Sequence, residues 1–67
     1  MIQLKSGDRV LAYIDDHNGT RWIKAHLIAS PYYQTDKWGI RRLRGTVRDV
    51  RGNLWYAIAI TPLKQWL

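Results

Sequence analysis

The sequence predicts an all-β protein, a small barrel of about five short strands. Three observations lead to this prediction. Several short segments alternate apolar and polar residues with the period of two that is typical of strands. Turns that contain glycine separate these segments. Glutamate, the commonest helix-surface partner of Lys and Arg, is absent from the 67 residues, which argues against a long surface helix.

The first predicted hairpin occupies residues 9–29. Residues 9–14 place Val10, Ala12 and Ile14 on one face of a strand. Asn18-Gly19 indicates a tight turn, because both residue types tolerate the positive φ of a primed turn. The returning strand is expected to turn one face towards the core, with Ile23, Ala25, Leu27 and Ala29. Its other face is expected to be partly exposed, with Trp22, Lys24, His26 and Ile28.

A second hairpin is predicted nearer the C-terminus. Before it, residues 32–35 read as a short strand, residues 36–39 as a turn and residues 40–44 as the start of another strand. Residues 46–50 and 54–60 flank a turn at Arg51-Gly52-Asn53, where glycine supplies a left-handed conformation. Because residues 54–60 are apolar on both faces, this segment is predicted to be the most central strand, with Trp55 or Tyr56 in the core.

The C-terminal segment is predicted to close the core. Thr61-Pro62 ends the last strand, since proline has no N–H to donate to a ladder. Residues 63–67 are predicted to form a short helical turn that brings Trp66 or Leu67 onto an open end of the core. A chain this short buries only about 60% of its unfolded surface, so we expect one domain over residues 1–67.

The first hairpin also resembles a known family. Gly7-Asp8, Val10, Ala12, Gly19, Trp22 and Ala25 look like the opening hairpin of Tudor-type and related SH3-like barrels. Residues 60–67 are similar to the short helical turn that ends many of these barrels. The resemblance covers about half the chain and implies a five-stranded SH3-like barrel. Residues 49–53 depart from the "DYGN" turn of Tudor domains that bind methylated ligands, because they contain no aromatic residue.

Positive charge is concentrated in residues 37–51. This segment contains six Lys and Arg residues and one Asp, and so carries +5 of the formal net charge of +6. Arginine grips phosphate with two hydrogen bonds and stacks on planar rings, which favours nucleic-acid recognition. The candidate nucleic-acid-binding residues are Lys37, Trp38, Arg41, Arg42, Arg44, Arg48 and Arg51.

These residues predict a module that binds DNA or RNA through an arginine-rich strand pair. Arg42 and Arg44 should project together and Arg41 oppositely, since alternate residues share a strand face. Phosphate contacts position a protein without reading bases, so weak sequence preference and strong salt dependence are expected. Several other SH3-like barrels, including the C-terminal domains of retroviral-type integrases, are basic and contact nucleic acid.

An alternative prediction is a protein-interaction module, possibly one that associates with itself. The arginines would then meet an acidic protein surface, or a groove would hold a peptide or a methylated side chain. The candidate groove residues are Tyr13, Trp22, Tyr32 and Tyr33. Exposed aromatic rings that cluster away from the arginines would favour this alternative, and rings that line the arginine face would favour nucleic acid.

Catalysis, metal binding and cofactors are not predicted. The reactive side chains are few, and Asp15, Asp16 and His17 are adjacent on a turn, so their side chains diverge. A local role in hydrogen bonding the turn explains them better. The sequence has no cysteine and no apolar run long enough to cross a bilayer. We therefore expect an intracellular, cytoplasmic protein with no membrane partner.

Overall fold

The computed structural model describes residues 4–63, which form six strands and no helix. The strands are β1 (Arg9–Asp16), β2 (Gly19–Leu27), β3 (Tyr32–Thr35), β4 (Arg41–Asp49), β5 (Leu54–Ala57) and β6 (Ala59–Pro62). The all-β prediction is confirmed. The predicted C-terminal helical turn, including Trp66 and Leu67, lies almost entirely outside the described residues.

The six strands make one curled sheet in the order β3-β4-β2-β1-β6, and β5 also pairs with β4. All pairings are antiparallel. β4 is the hub, because its first half pairs with β3 and its second half with both β5 and β2. The sheet forms a half-barrel that is compatible with an SH3-like barrel at the level of the fold.

The concave side of the sheet holds a small core. Its buried members are Val10, Ala12, Ile14, Ala25, Leu27, Val47, Ala57 and Ile60, with Leu4, Ile23, Leu43 and Trp55 packed against them. The predicted inward faces of β1 and β2 are therefore confirmed, except that Ala29 lies beyond β2 and is exposed. Trp55, rather than Tyr56, packs against the core.

Three turns share the pattern Asp-x-x-Gly, at residues 16–19, 36–39 and 49–52. In each turn one carboxylate oxygen of the aspartate accepts the backbone N–H two residues later, at 2.8–2.9 Å. Each turn ends on a glycine with positive φ, at 120°, 80° and 89° respectively. The predicted local role of Asp16 is confirmed. The first turn is not a primed turn, however, because no non-glycine residue in the described range has positive φ.

The prediction that residues 54–60 form the most central strand is wrong. The segment is divided at Ile58 into β5, which pairs with β4, and β6, which pairs with β1. Ile58 donates its N–H to the carbonyl of Tyr13 at 2.9 Å, so the chain crosses from one edge of the curled sheet to the other. Leu54 and Tyr56 are exposed as a result.

Candidate functional site

Four of the five predicted arginines, Arg41, Arg42, Arg44 and Arg48, lie on one strand rather than on a strand pair, which corrects the prediction. The segments 40–44 and 46–50, interpreted as two pieces, form the single nine-residue strand β4. The ladders along β4 run without a bulge, so Arg42, Arg44 and Arg48 share the convex face. Arg41 is on the opposite face, as alternation predicts.

The turn between β3 and β4 positions Trp38 and Arg42. Asp36 accepts the N–H groups of Trp38 and Ile40 with one carboxylate oxygen, both at 2.9 Å, and the Nε–H of Arg42 with the other at 3.3 Å. The hydrogen bond from Ile40, followed by those from Arg42 and Trp38, lowers the pKa of Asp36 below its ordinary value. The aspartate therefore stays ionised and holds the turn at neutral pH.

Trp38, Arg42 and Arg44 meet in a surface cleft of about 200 Å³, together with Asp36, Tyr13 and Ile58. Trp38 is 73% exposed at the mouth of this cleft. Lys37 places its ammonium nitrogen 4.6 Å from the centroid of the Trp38 ring, within cation–π distance. We call this cleft the Trp38 cleft; it is lined by Tyr13, Asp36, Trp38, Arg42, Arg44 and Ile58.

Arg44 has a constrained environment beside this cleft. Tyr32 is opposite Arg44 on β3, and its hydroxyl group is hydrogen-bonded to that of Tyr56 on β5, with the two oxygens 2.6 Å apart. This hydrogen bond raises the pKa of Tyr32, and the positive charge of Arg44 acts in the opposite direction. The Nε–H of Arg44 is covered and has no acceptor among the described residues. A buried donor without an acceptor is unusual in a folded protein.

Arg41 lies over an aromatic ring. The guanidinium carbon of Arg41 lies 4.4 Å from the centroid of the Tyr33 ring, and that tyrosine is 60% exposed. The two residues are diagonal neighbours on β3 and β4, where Tyr33 is opposite Leu43. Arginine and aromatic residues therefore alternate around the first half of β4.

Arg48 and Arg51 are separated from the Trp38 cleft. Arg48 lies at most about 20 Å along β4 from Arg42, given the rise per residue of a strand. It borders a shallow groove with Ser6 and His26. Arg51 is in the turn that follows β4, beside a second cleft of about 440 Å³ that Arg21 and Lys24 also line. The predicted patch therefore extends along β4 rather than forming one cluster. We call the arginines of this strand the basic track; they are Arg41, Arg42, Arg44 and Arg48.

The four residues of the predicted aromatic groove do not share one groove. Tyr13 and Trp22 pair across β1 and β2 with ring centroids 5.0 Å apart. Tyr32 and Tyr33 are consecutive on β3 and so point to opposite faces. Tyr13 is the member that joins the Trp38 cleft.

Two members of the Trp38 cleft were not predicted from the sequence. Asp36 carries a signal that could have found it, the Asp-x-x-Gly spacing shared with two other turns. Ile58 carries no such sequence signal, because its position depends on where the chain passes from pairing with β4 to pairing with β1.

Within residues 4–63 no group of three or more His or Asp side chains is arranged to hold a metal ion. The same residues include no helix that could cross a membrane.

No protein-family model matches the chain, and no curated protein or solved structure is significantly similar to it. The fold and the site therefore define a structural class and no family. The class is a small curled β-sheet with a basic track on the strand β4.

Proposed function

We propose that this protein is an SH3-like barrel, related in fold to Tudor-type domains, that binds nucleic acid through the basic track of β4 and its two flanking turns. The observation that carries the proposal is the concentration of positive charge. Residues 37–51 hold +5 of a net +6, and they form one continuous strand with its adjoining turns. Several arginines on one strand can each neutralise a backbone phosphate.

The position of the aromatic residues supports nucleic acid over a peptide or an acidic protein. Trp38 is exposed in the cleft that Arg42 and Arg44 line. Tyr33 is exposed beside Arg41, on the opposite face of β4. Interleaved cations and rings are typical of surfaces that hold a phosphate backbone and stack its bases.

The test is a fluorescence-anisotropy titration of labelled single- and double-stranded oligonucleotides at several salt concentrations. The variant replaces Arg42, Arg44 and Arg48 with alanine. Because each neutralised phosphate adds about 0.7 (single strand) to 0.9 (duplex) to the slope of log K against log salt, the variant should bind with a slope shallower by about 2 to 3.

A second triple variant serves as the matched control. Lys5, Arg21 and Lys24 are exposed residues outside β4, and replacing them with alanine also removes three charges from the net +6. This control should retain most of the slope. Equal losses in the two variants would show that net charge alone drives binding. An absence of binding at low salt would refute the proposal and turn the search to acidic protein partners.

A further inference from the structure

We propose that the ligand is a single-stranded polynucleotide, and that the Trp38 cleft receives one of its bases between Trp38 and Tyr13 while the adjacent phosphate contacts Arg42 and Arg44. This inference rests on the proposed function and adds the strandedness of the ligand and the site of base contact.

The size of the cleft matches one planar ring. Its volume of about 200 Å³ is below the range of roughly 300–1,000 Å³ that drug-sized ligands occupy. Its lining residues include two aromatic ones, Trp38 and Tyr13, and the apolar Ile58. A base in a duplex is already stacked on both faces, so only an unpaired base can enter such a cleft and stack on Trp38.

The charges around the cleft suit the phosphate of the same nucleotide. Arg42 and Arg44 are two residues apart on β4 and share its convex face. Asp36 accepts the Nε–H of Arg42 at 3.3 Å, and the Arg42 side chain is 43% exposed, so its other N–H groups remain available to a phosphate. The Nε–H of Arg44 is covered and has no acceptor among the described residues, so the side chain would have to move for a phosphate oxygen to accept it.

The turn fixes the backbone at Trp38 before any ligand arrives. Its backbone N–H is bonded to Asp36, and Gly39 closes the turn by donating its N–H to the carbonyl of Asp36 at 3.0 Å. Lys37 lies over the indole. Because the backbone that carries the ring is already fixed, base stacking orders only the side chain, which favours binding.

The experiment compares oligo(dU), oligo(rU) and an abasic deoxyribose-phosphate strand of the same length, which has the same charge and no bases. The wild-type protein should bind at least one of the base-bearing strands about 5- to 150-fold more tightly than the abasic strand. The tighter of the two identifies the sugar. Trp38→Ala should remove most of this preference by weakening the binding of the base-bearing strands, and Trp38→Phe should retain part of it.

Leu54→Ala is the control, because Leu54 is an exposed apolar residue on β5 outside the cleft. It should leave all affinities unchanged. Equal affinity of the wild-type protein for all three strands would overturn the base-stacking inference while leaving phosphate binding intact. A preference that survives in Trp38→Ala would overturn the assignment to this cleft. If no strand binds, the proposed function itself fails.

Discussion

At the scale of single residues, aspartate side chains hold three turns of this protein through hydrogen bonds to the backbone. Asp49 shows the fullest set of contacts, accepting the N–H groups of Arg51 and Asn53 at 2.9 Å with one oxygen. Its other oxygen accepts the indole N–H of Trp55, also at 2.9 Å. One carboxylate thus ties the turn after β4 to the edge of the core. The hydrogen bond from Trp55 is the main cause that lowers the pKa of Asp49 below its ordinary value of 3.8.

This lowered pKa predicts how stability depends on pH. The folded state favours the ionised form of Asp49, so its contribution is complete above the unfolded pKa and is lost as the pH falls below about 4, through the folded pKa. Asp16 and Asp36 act in the same direction. We expect the urea concentration at the unfolding midpoint to decrease as the pH is lowered from about 5 to about 2.

Asp49→Asn tests the contribution of this residue. The amide can keep an oxygen towards the turn but presents N–H to the indole N–H of Trp55, so the variant should be less stable at neutral pH and should depend less on acid. Asp15→Asn, an exposed residue of β1, is the matched control and should retain the wild-type acid dependence. Identical acid profiles for Asp49→Asn and wild type would contradict the assignment.

At the scale of elements, β4 carries both the core and the basic track. Val47 is buried on its concave face, while Arg42, Arg44 and Arg48 lie on its convex face. β4 also passes close to the chain after β2, since a methyl group added at Gly45 would lie 3.4 Å from the Cα of Pro31. That distance is ordinary van der Waals contact, and no strained φ accompanies it.

Two glycine substitutions should therefore have opposite effects. Gly45→Ala should stabilise the protein by about 0.5 kcal/mol, because it restricts the unfolded chain and fits the folded one. Gly52→Ala should destabilise it by about 1 kcal/mol, because Gly52 has a φ of 89° in the turn after β4. Urea denaturation of both variants measures the difference. Destabilisation by Gly45→Ala would show that β4 and Pro31 cannot accommodate the methyl group.

The sequence predicted some elements better than others. β1, β2 and their hairpin were predictable because alternation and a turn signal act over neighbouring residues. The break at Ile58 was not, since residues 54–60 have an unbroken apolar pattern and the break arises from the transfer of the chain between two sheet edges. The single strand β4 was likewise divided in the prediction, between residues 44 and 46, whereas the structure pairs its first half with β3 and its second half with β5.

At the scale of the whole molecule, the uneven charge should affect stability as well as binding. Most of the net +6 lies within residues 37–51, and like charges along one strand repel each other in the folded state. Raising the ionic strength from about 0.01 M to 0.15 M shortens the Debye length from about 30 Å to 8 Å. The urea midpoint should therefore rise with salt over this range.

The same two triple variants identify the source of this effect. Replacing Arg42, Arg44 and Arg48 with alanine should reduce the salt dependence of the urea midpoint more than replacing Lys5, Arg21 and Lys24 does. An equal reduction in the two variants would mean that the repulsion is spread over the molecule rather than concentrated on β4.

The sequence by itself determined the all-β class, the inward faces of β1 and β2 and the local excess of positive charge, because each depends on residues that are close along the chain. Only the tertiary structure decided which of the candidate residues meet. Tyr13, Trp38 and Ile58 come from three distant segments, and they share one cleft because the sheet curls and the chain crosses from β5 to β6 beside β1. Contacts between distant segments depend on that curvature, which no local pattern encodes.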